Sequence, residues 1–170
     1  MEIICGWLVA NSILKKAFEE KKYITPLKLN CLIYLLCSEY LFLNKDGLFN
    51  EVCEKTKLGP IVPSVYYKFN IFGNKVITKY AKDAKGRTMG ISSDSFDECL
   101  SRVWEKFKNM DDATILSYVE SGCGYSERDV GEILTDVDML IDEISRKEEE
   151  LENAKSYIKK LIPPKYNGNK

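Results

Sequence analysis

The stretch from Leu27 to Leu43, LKLNCLIYLLCSEYLFL, is the feature that most constrains the fold, because as a helix it would be apolar on nearly every side. Such a helix is buried on most of its surface, whereas an amphipathic helix keeps one face in water. Thr25 and Pro26 predict its start, since threonine caps helix N-termini and proline fits the first helical position. The sequence therefore predicts a central core helix that ends in the NKDG turn at 44–47.

Apolar residues at helical spacing predict four more helices around this one. The predicted helices cover about 3–20, a short stretch from Pro63 to Gly73, 95–108 with Ser93 or Asp94 as its cap, and 112–121 with Asp112 as its cap. Between the second and third of these, β-branched and aromatic residues flank a polar turn centred on 83–86, which predicts a small β-hairpin over 76–91. The segment up to Leu58 fits either an extended strand or a short helix.

The last part of the chain carries a heptad pattern. Val130, Val137, Ile144, Leu151 and Ile158 follow one another every seven residues. Ser126 with Asp129 resembles a capping box at the start. A continuous helix over 127–162 would be about 50 Å long at about 1.5 Å per residue. A compact domain of this size is only about 30 Å across, so part of the helix must project, pair or break.

These patterns predict a mainly α fold: a compact helical domain with one small β-hairpin and a long C-terminal helix. The predicted organisation is a helical domain over 1–125, the heptad helix over 126–162 and a disordered tail over 163–170. Two interpretations of the heptad helix stay open. It forms an intermolecular coiled coil, which includes a possible homodimer, or its first half packs along its own domain and the rest frays.

Composition excludes several classes of function. The 170 residues contain 25 basic and 26 acidic side chains, so the basic excess typical of nucleic-acid binding is missing. The basic segment KYAKDAKGR at 79–87 is interpreted as a solvated hairpin tip. There is no histidine and no C-x-x-C spacing among the six cysteines, which removes the commonest general base and the usual zinc-site patterns. We expect no cofactor, no metal and no enzymatic activity.

The chain is expected to be cytoplasmic with reduced thiols. Its N-terminus lacks the basic region of a signal peptide, and Lys28, Asn30 and Glu39 interrupt the most apolar run, which argues against a membrane span. Cys31, Cys37 and Cys99 fall on apolar helix faces, where a free cysteine behaves as a small hydrophobic residue. Cys123, in the loop SGCGY, is expected to be exposed and unreactive, since the chain has no histidine to pair with it.

Three blocks of the sequence resemble the Panacea antitoxin domain family. They are VANSILKKAF at 9–18, ITPLKLNCLIYLL at 24–36 and LGPIVPSVYYKF at 58–69, in the order and spacing of that family. The segment SRVWEKFKNMDDATILSYVES at 101–121 resembles the family's next helix pair. Where family members often carry a Thr-His pair and then a Pro-Trp pair, this chain has VESGCGYSERD, so any role of that element does not carry over.

The resemblance implies a mostly helical domain common in phages and mobile elements, whose members are generally antitoxins that bind and neutralise partner toxins. It implies a non-enzyme that acts stoichiometrically on a protein partner. One alternative is a phage-encoded inhibitor of a host defence effector, such as an anti-CRISPR or other anti-defence protein. A second is a DNA-binding regulator of its own operon. Gene neighbours and the salt dependence of DNA binding separate these alternatives.

Exposed aromatic and apolar residues are the expected partner contacts. In ITPLKLN, Thr25, Leu27 and Leu29 are assigned to the cap and core, and only Lys28 and Asn30 are expected to face outward. LGPIVPSVYYKF is either a ligand-binding corner or a rigid apolar corner between two helices. The predicted partner-binding residues are Tyr67, Lys68, Tyr125, Leu151, Tyr157, Ile158 and Leu161.

Overall fold

The computed structural model describes residues 4–162, and it confirms the mainly α fold with a small antiparallel sheet and a long C-terminal helix. The elements are α1 (Gly6–Glu19), α2 (Pro26–Asn44), β1 (Cys53–Thr56), β2 (Gly59–Ile61), α3 (Pro63–Phe69), α4 (Asp94–Phe107), α5 (Asp112–Glu120), α6 (Cys123–Ser126), β3 (Ile133–Leu134) and α7 (Asp136–Leu161). A single 3-10 turn, Asn70–Phe72, follows α3.

Helix α2 lies at the centre, as its composition predicts. The Thr25 hydroxyl accepts the backbone N–H of Lys28 at 3.2 Å, so the predicted cap is present. Helices α1, α4, α5 and α7 and strand β2 all pack against α2. Its length and mean hydropathy do reach those of a membrane-spanning helix, contrary to expectation, but 72% of that apolar stretch is buried inside the domain. These features are those of a core helix.

The sheet lies elsewhere than predicted. Strands β1 and β2 form a hairpin with Glu54 opposite Ile61, and β3 adds to the other side of β1 with Cys53 opposite Leu134. The segment before Leu58, whose pattern fitted strand or helix, is therefore a strand. Gly59 adopts φ +104°, and a side chain there would press on Leu116 from α5, which explains the glycine at this corner.

The predicted hairpin over 76–91 is wrong except for its turn. The Asp83 carboxylate accepts the backbone N–H groups of Lys85 and Arg87, and one isolated bridge joins Lys82 to Thr88. Buried Asn11 of α1 donates to the carbonyls of Ala81 and Met89 and accepts the Ala81 N–H. The segment is thus a loop whose backbone groups are satisfied by a helix side chain instead of a second strand.

Helix α7 begins nine residues later than predicted, so Val130 of the predicted heptad row lies outside it. Its capping box is formed by Thr135 and Asp138, not by Ser126 and Asp129. The intervening residues make a turn at Gly131 (φ +96°) and then β3, whose pairing with β1 fixes where the helix can start. The first half of α7 packs on α2, so it belongs to the helical body. The predicted disordered tail, 163–170, lies outside the described residues.

Candidate functional site

The stretches 24–36 and 58–69, 22 residues apart in sequence, meet through Asn30 of α2. Its amide nitrogen donates to the Pro26 carbonyl at 3.0 Å, and its amide oxygen accepts the Val62 N–H at 3.1 Å. Asn30 thereby fixes the residue that precedes Pro63 at the start of α3. The prediction that Asn30 faces outward is wrong, because it is buried.

Lys28 was also expected to face outward and is instead buried. Its ammonium donates to the carbonyls of Lys108 and Met110, at 2.8 and 2.6 Å, just after the C-terminus of α4. A cation is favoured there, since the last carbonyls of a helix lack partners and carry partial negative charge. Burial lowers the pKa of Lys28, while Asp112 acts in the opposite direction. The only hint in the sequence that Lys28 binds these carbonyls was its position as a polar residue in an otherwise apolar helix.

Between the two stretches lies an open, mostly apolar groove of about 370 Å³, called the motif groove below. Its apolar walls come from Pro26, Leu27, Leu58, Ile61, Val65 and Tyr66. At one end are Thr25 and Asp112, whose side chains are joined by a hydrogen bond of 2.6 Å. Leu58 is 70% exposed and Tyr66 is half-exposed, so two large apolar groups form its rim. The 58–69 corner is apolar and is tied to α2 by Asn30, which fits the interpretation of a rigid corner between two helices.

Tyr67 and Lys68 lie on α3 beside the motif groove but do not line it. Tyr67 is 75% exposed, and its ring packs edge-on against Tyr66 at 5.7 Å between centroids. The Lys68 ammonium donates to the Lys82 carbonyl at 2.6 Å and lies 5.1 Å from the centre of the Trp7 ring. Tyr67 is therefore available to a partner, whereas Lys68 holds the 76–91 loop against the helices.

Tyr125 is not a surface residue: it is only 1% exposed, so the prediction that it anchors a partner is wrong. Its ring packs edge-on against Tyr34 of α2, and the Lys55 ammonium lies 4.6 Å from its centre. Short helix α6 carries it inward, because Gly124 lets the α6 backbone lie directly on the Asp138 carbonyl of α7. The sequence SGCGY favours a loop, and only this long-range packing converts it into a buried turn.

The other four predicted residues, Leu151, Tyr157, Ile158 and Leu161, lie on the second half of α7, and all four are exposed. Just before this half, Glu150 is joined to the body by an ion pair with Lys106 at 2.7 Å. Leu151 and Ile158 share one face of the helix, and Tyr157 lies on a different one, since successive residues are rotated by about 100°. The structure thus provides two separate apolar surfaces, the motif groove and the α7 face.

A polar cluster lies between α2 and α7. The Lys147 ammonium is 3.2 Å from a carboxylate oxygen of Glu39 and 3.2 Å from one of Glu143. Burial and the neighbouring Glu39 raise the pKa of Glu143 to about 7. The pKa of Glu39 is lowered despite burial, because Glu143 and Lys147 hydrogen-bond to its charged form. The shifted pKa values of Glu39 and Glu143 thus follow from a network of ion pairs and hydrogen bonds between α2 and α7.

The predicted burial of three cysteines and exposure of a fourth are confirmed. Cys31, Cys37 and Cys99 are buried and free, and burial raises the pKa of each thiol. Cys123 is exposed. Across residues 4–162, no group of three or more cysteine or acidic side chains is placed to hold a metal ion.

Comparison with known protein families decides the relationship. The family model for the "Antitoxin SocA-like, Panacea domain" matches residues 29–123. The chain belongs to the Panacea family. The match runs through most of α2, the sheet hairpin and helices α3 to α5, so it includes most of the motif groove of this Panacea protein. Helix α7 lies beyond the matched residues. Comparisons with curated proteins and with solved structures gave no match.

Proposed function

We propose that this Panacea protein is an antitoxin-like binding protein that neutralises a toxin by direct, stoichiometric binding, without enzymatic activity. Membership of an antitoxin-like family supports a protein partner. The observation that carries the proposal is the motif groove, which is apolar and open to solvent with exposed Leu58 at its rim.

The groove has the physical properties of a protein-binding surface. Its walls are rigid, because Asn30 fixes one wall to the other and the Thr25–Asp112 hydrogen bond closes one end. A rigid concave surface loses little entropy on binding, so apolar side chains inserted into it contribute most of their burial free energy to affinity. We expect an apolar segment of the toxin to enter the groove and cover Leu58 and Tyr66.

Reconstitution with the toxin tests the proposal. The partner is identified by co-purification from the native host, and the complex is then assembled from purified chains and weighed by native mass spectrometry. Leu58→Asp places a charge on the groove rim and should weaken toxin binding by about 100-fold or more, because a buried unpaired charge is costly. Co-expression should rescue growth from the toxin with the natural chain but not with this variant.

Ile71→Asp is the matched control. Ile71 is a large apolar residue that is 85% exposed. It lies on the 3-10 turn next to Asn70, which lines the groove, but Ile71 itself does not line it. It should bind and rescue like the natural chain. An equal loss of toxin binding in both variants, or no loss in either, would show that the groove is not the binding surface. A partner that is a host immune effector would instead support the alternative of an anti-defence inhibitor.

Tyr66 and Tyr67 sharpen the test, because they are neighbours with different positions. Tyr66 lines the groove and Tyr67 does not. If the groove is the contact surface, Tyr66→Ala should weaken binding by about tenfold or more and Tyr67→Ala by less, because only Tyr66 would be covered by a segment that enters the groove. The reverse order would move the contact to the outer face of α3.

A further inference from the structure

Helix α7 carries large apolar residues on the face turned away from the body. Its inner face combines buried Met139 with three buried carboxylates, Asp138, Asp142 and Glu143. The face turned to solvent carries apolar residues, all at least 42% exposed: Val137, Ile141, Ile144, Leu151, Ile158 and Ile162. A surface helix of a monomer normally shows its apolar side to its own core. The arrangement in α7 therefore leaves an apolar face for another molecule.

The six residues form one continuous stripe, called the α7 stripe below. At 100° per residue they fall within about 60° on either side of a single line along the helix. Val137, Ile144, Leu151 and Ile158 repeat every seven residues, which is the spacing that two helices need to stay in contact over several turns. The stripe spans about 30 Å from Val137 to Ile158 at about 1.5 Å per residue.

The charges of α7 are divided along its length. Residues 136–154 contain eight acidic and two basic side chains, whereas residues 155–161 contain three lysines and no acidic residue. Two copies side by side in the same direction would place acidic residues against acidic residues and lysines against lysines. Two copies in opposite directions that cross at Leu151 bring Glu148 of each copy close to Lys155 of the other.

We propose that the α7 stripe binds the same stripe of a second copy of this chain, with the two helices antiparallel and the twofold axis at Leu151. In this register the Leu151 side chains meet each other, and Ile144 of each copy meets Ile158 of the other. Glu148 and Lys155, which both lie along the stripe, come within one residue of facing each other across the interface. Two of the charges that interrupt the stripe, Glu148 and Lys155, are thus paired with each other.

The body of the protein permits this pairing. It contacts α7 from the face opposite the stripe, through Asp142 and Glu143, and its last ion pair with the helix is at Glu150. The second half of α7 projects beyond that point, and all its residues from Leu151 to Ile162 are exposed. In an antiparallel pair this projecting half lies along the first half of the other copy, so the two bodies sit at opposite ends.

Cysteine cross-linking of the full-length chain tests both the contact and its direction. The partly exposed Cys5 and the exposed Cys123 are first replaced by Cys5→Ser and Cys123→Ser. In that background Ile144→Cys protein is mixed with Ile158→Cys protein under mild oxidation. The antiparallel register predicts a covalent dimer of twice the 19.5 kDa chain mass in the mixture, and little in either variant alone. Cross-linking of each variant with itself, or none at all, overturns the proposal.

Sedimentation equilibrium of the uncross-linked chain measures the strength of the contact. The average mass should rise toward that of a dimer with concentration, and Leu151→Glu should raise the dimer dissociation constant by about 100-fold, since it buries like charges at the axis. Because Leu151 is exposed in the single chain, the circular dichroism spectrum should not change. A monomer at every concentration, or a dimer unaffected by Leu151→Glu, contradicts the proposal.

A charge exchange at two positions provides the matched control. Glu148→Lys alone should raise the dissociation constant by about tenfold, and adding Lys155→Glu should restore it, because the antiparallel pair brings these two residues together. A parallel pair predicts no such restoration. Toxin binding through the motif groove should be unaffected by all these variants, so failure of the dimer and failure of the proposed function are distinguishable.

Discussion

Helices α2 and α7 differ in how they distribute apolar and polar residues between buried and exposed positions. Helix α2 buries apolar residues on nearly every side, and its few polar side chains, such as Lys28 and Asn30, each satisfy specific backbone groups. Helix α7 buries three carboxylates beside Met139 and leaves its isoleucines and Leu151 exposed. Helix α2 is thus covered within one chain, whereas the outer face of α7 is left exposed and is the face of the proposed dimer.

The largest expected difference is between two leucines. Leu36 on α2 is fully buried and Leu151 on α7 is 55% exposed. Leu36→Ala should lower the free energy of unfolding by about 3 to 4 kcal/mol, the range for a buried leucine that leaves a cavity. Leu151→Ala should change it by less than about 0.5 kcal/mol in dilute solution, as exposed sites do. Urea unfolding measures both, and similar losses would erase the contrast.

The buried face of α7 should be nearly as sensitive as α2. Asp142 accepts the Tyr34 hydroxyl at 2.6 Å and the Gly124 N–H at 2.7 Å, and so ties α2 and α6 to α7. Asp142→Ala leaves these donors without an acceptor, and we expect a loss of about 3 kcal/mol. Glu149→Ala, an exposed acid on the same helix, is the control. A small effect of Asp142→Ala would show that the polar face is not what holds α7.

The Glu143 carboxyl adds a pH dependence to that face. Its pKa rises from 4.5 to about 7 on folding, so the folded chain binds the extra proton. Folding stability should therefore fall as the pH rises from about 4.5 to about 7, and the loss should be complete above that window. Glu143→Gln should be more stable than the natural chain by about 1 kcal/mol near pH 8, with a smaller difference near pH 5.

Thermal unfolding at both pH values measures this effect. Glu152→Gln, an exposed position on α7, should leave the pH dependence of the natural chain intact. If the folding stability of Glu143→Gln depends on pH in the same way as that of the natural chain, another group binds the extra proton.

Removal of all residues after Glu150 should have the smallest effect on stability. The remaining helix keeps its contacts with α2 and the Lys106 ion pair. We expect the free energy of unfolding of the monomer to change by less than about 0.5 kcal/mol, because the removed side chains are exposed. The truncation should instead weaken formation of the proposed dimer. A marked fall in stability of the dilute protein would show that the second half of α7 supports its own domain.

The sequence correctly predicted the helix starts that depend on interactions within a few residues. Thr25 with Pro26 and the proline at 63 place the starts of α2 and α3 correctly, because capping and a fixed φ act within a few residues. Asp111, one residue before the predicted Asp112, caps α5. The start of α7 was wrong because Ser126 and Thr135 both precede an aspartate by three residues, and only the pairing of β3 with β1 selects the second.

The same holds for the candidate surfaces: exposure was predicted where it follows from a local pattern and missed where it depends on long-range packing. Leu151, Tyr157, Ile158 and Leu161 were predicted to be exposed from a heptad row that outruns the domain, and they are. The motif groove was not predicted as a groove, since it forms only when Asn30 joins two distant stretches. Tyr125 was misplaced because its burial depends on Gly124 contacting α7, which no spacing in the sequence indicates.

Hydrogen exchange followed by mass spectrometry as a function of protein concentration tests the contrast between α2 and α7 most directly. Amides of α2 should be protected to the same degree at every concentration. Amides over 151–161 should exchange quickly in dilute protein, become protected as concentration rises, and stay unprotected in Leu151→Glu. Exchange over 151–161 that is independent of concentration, whether fast or slow, would contradict the account.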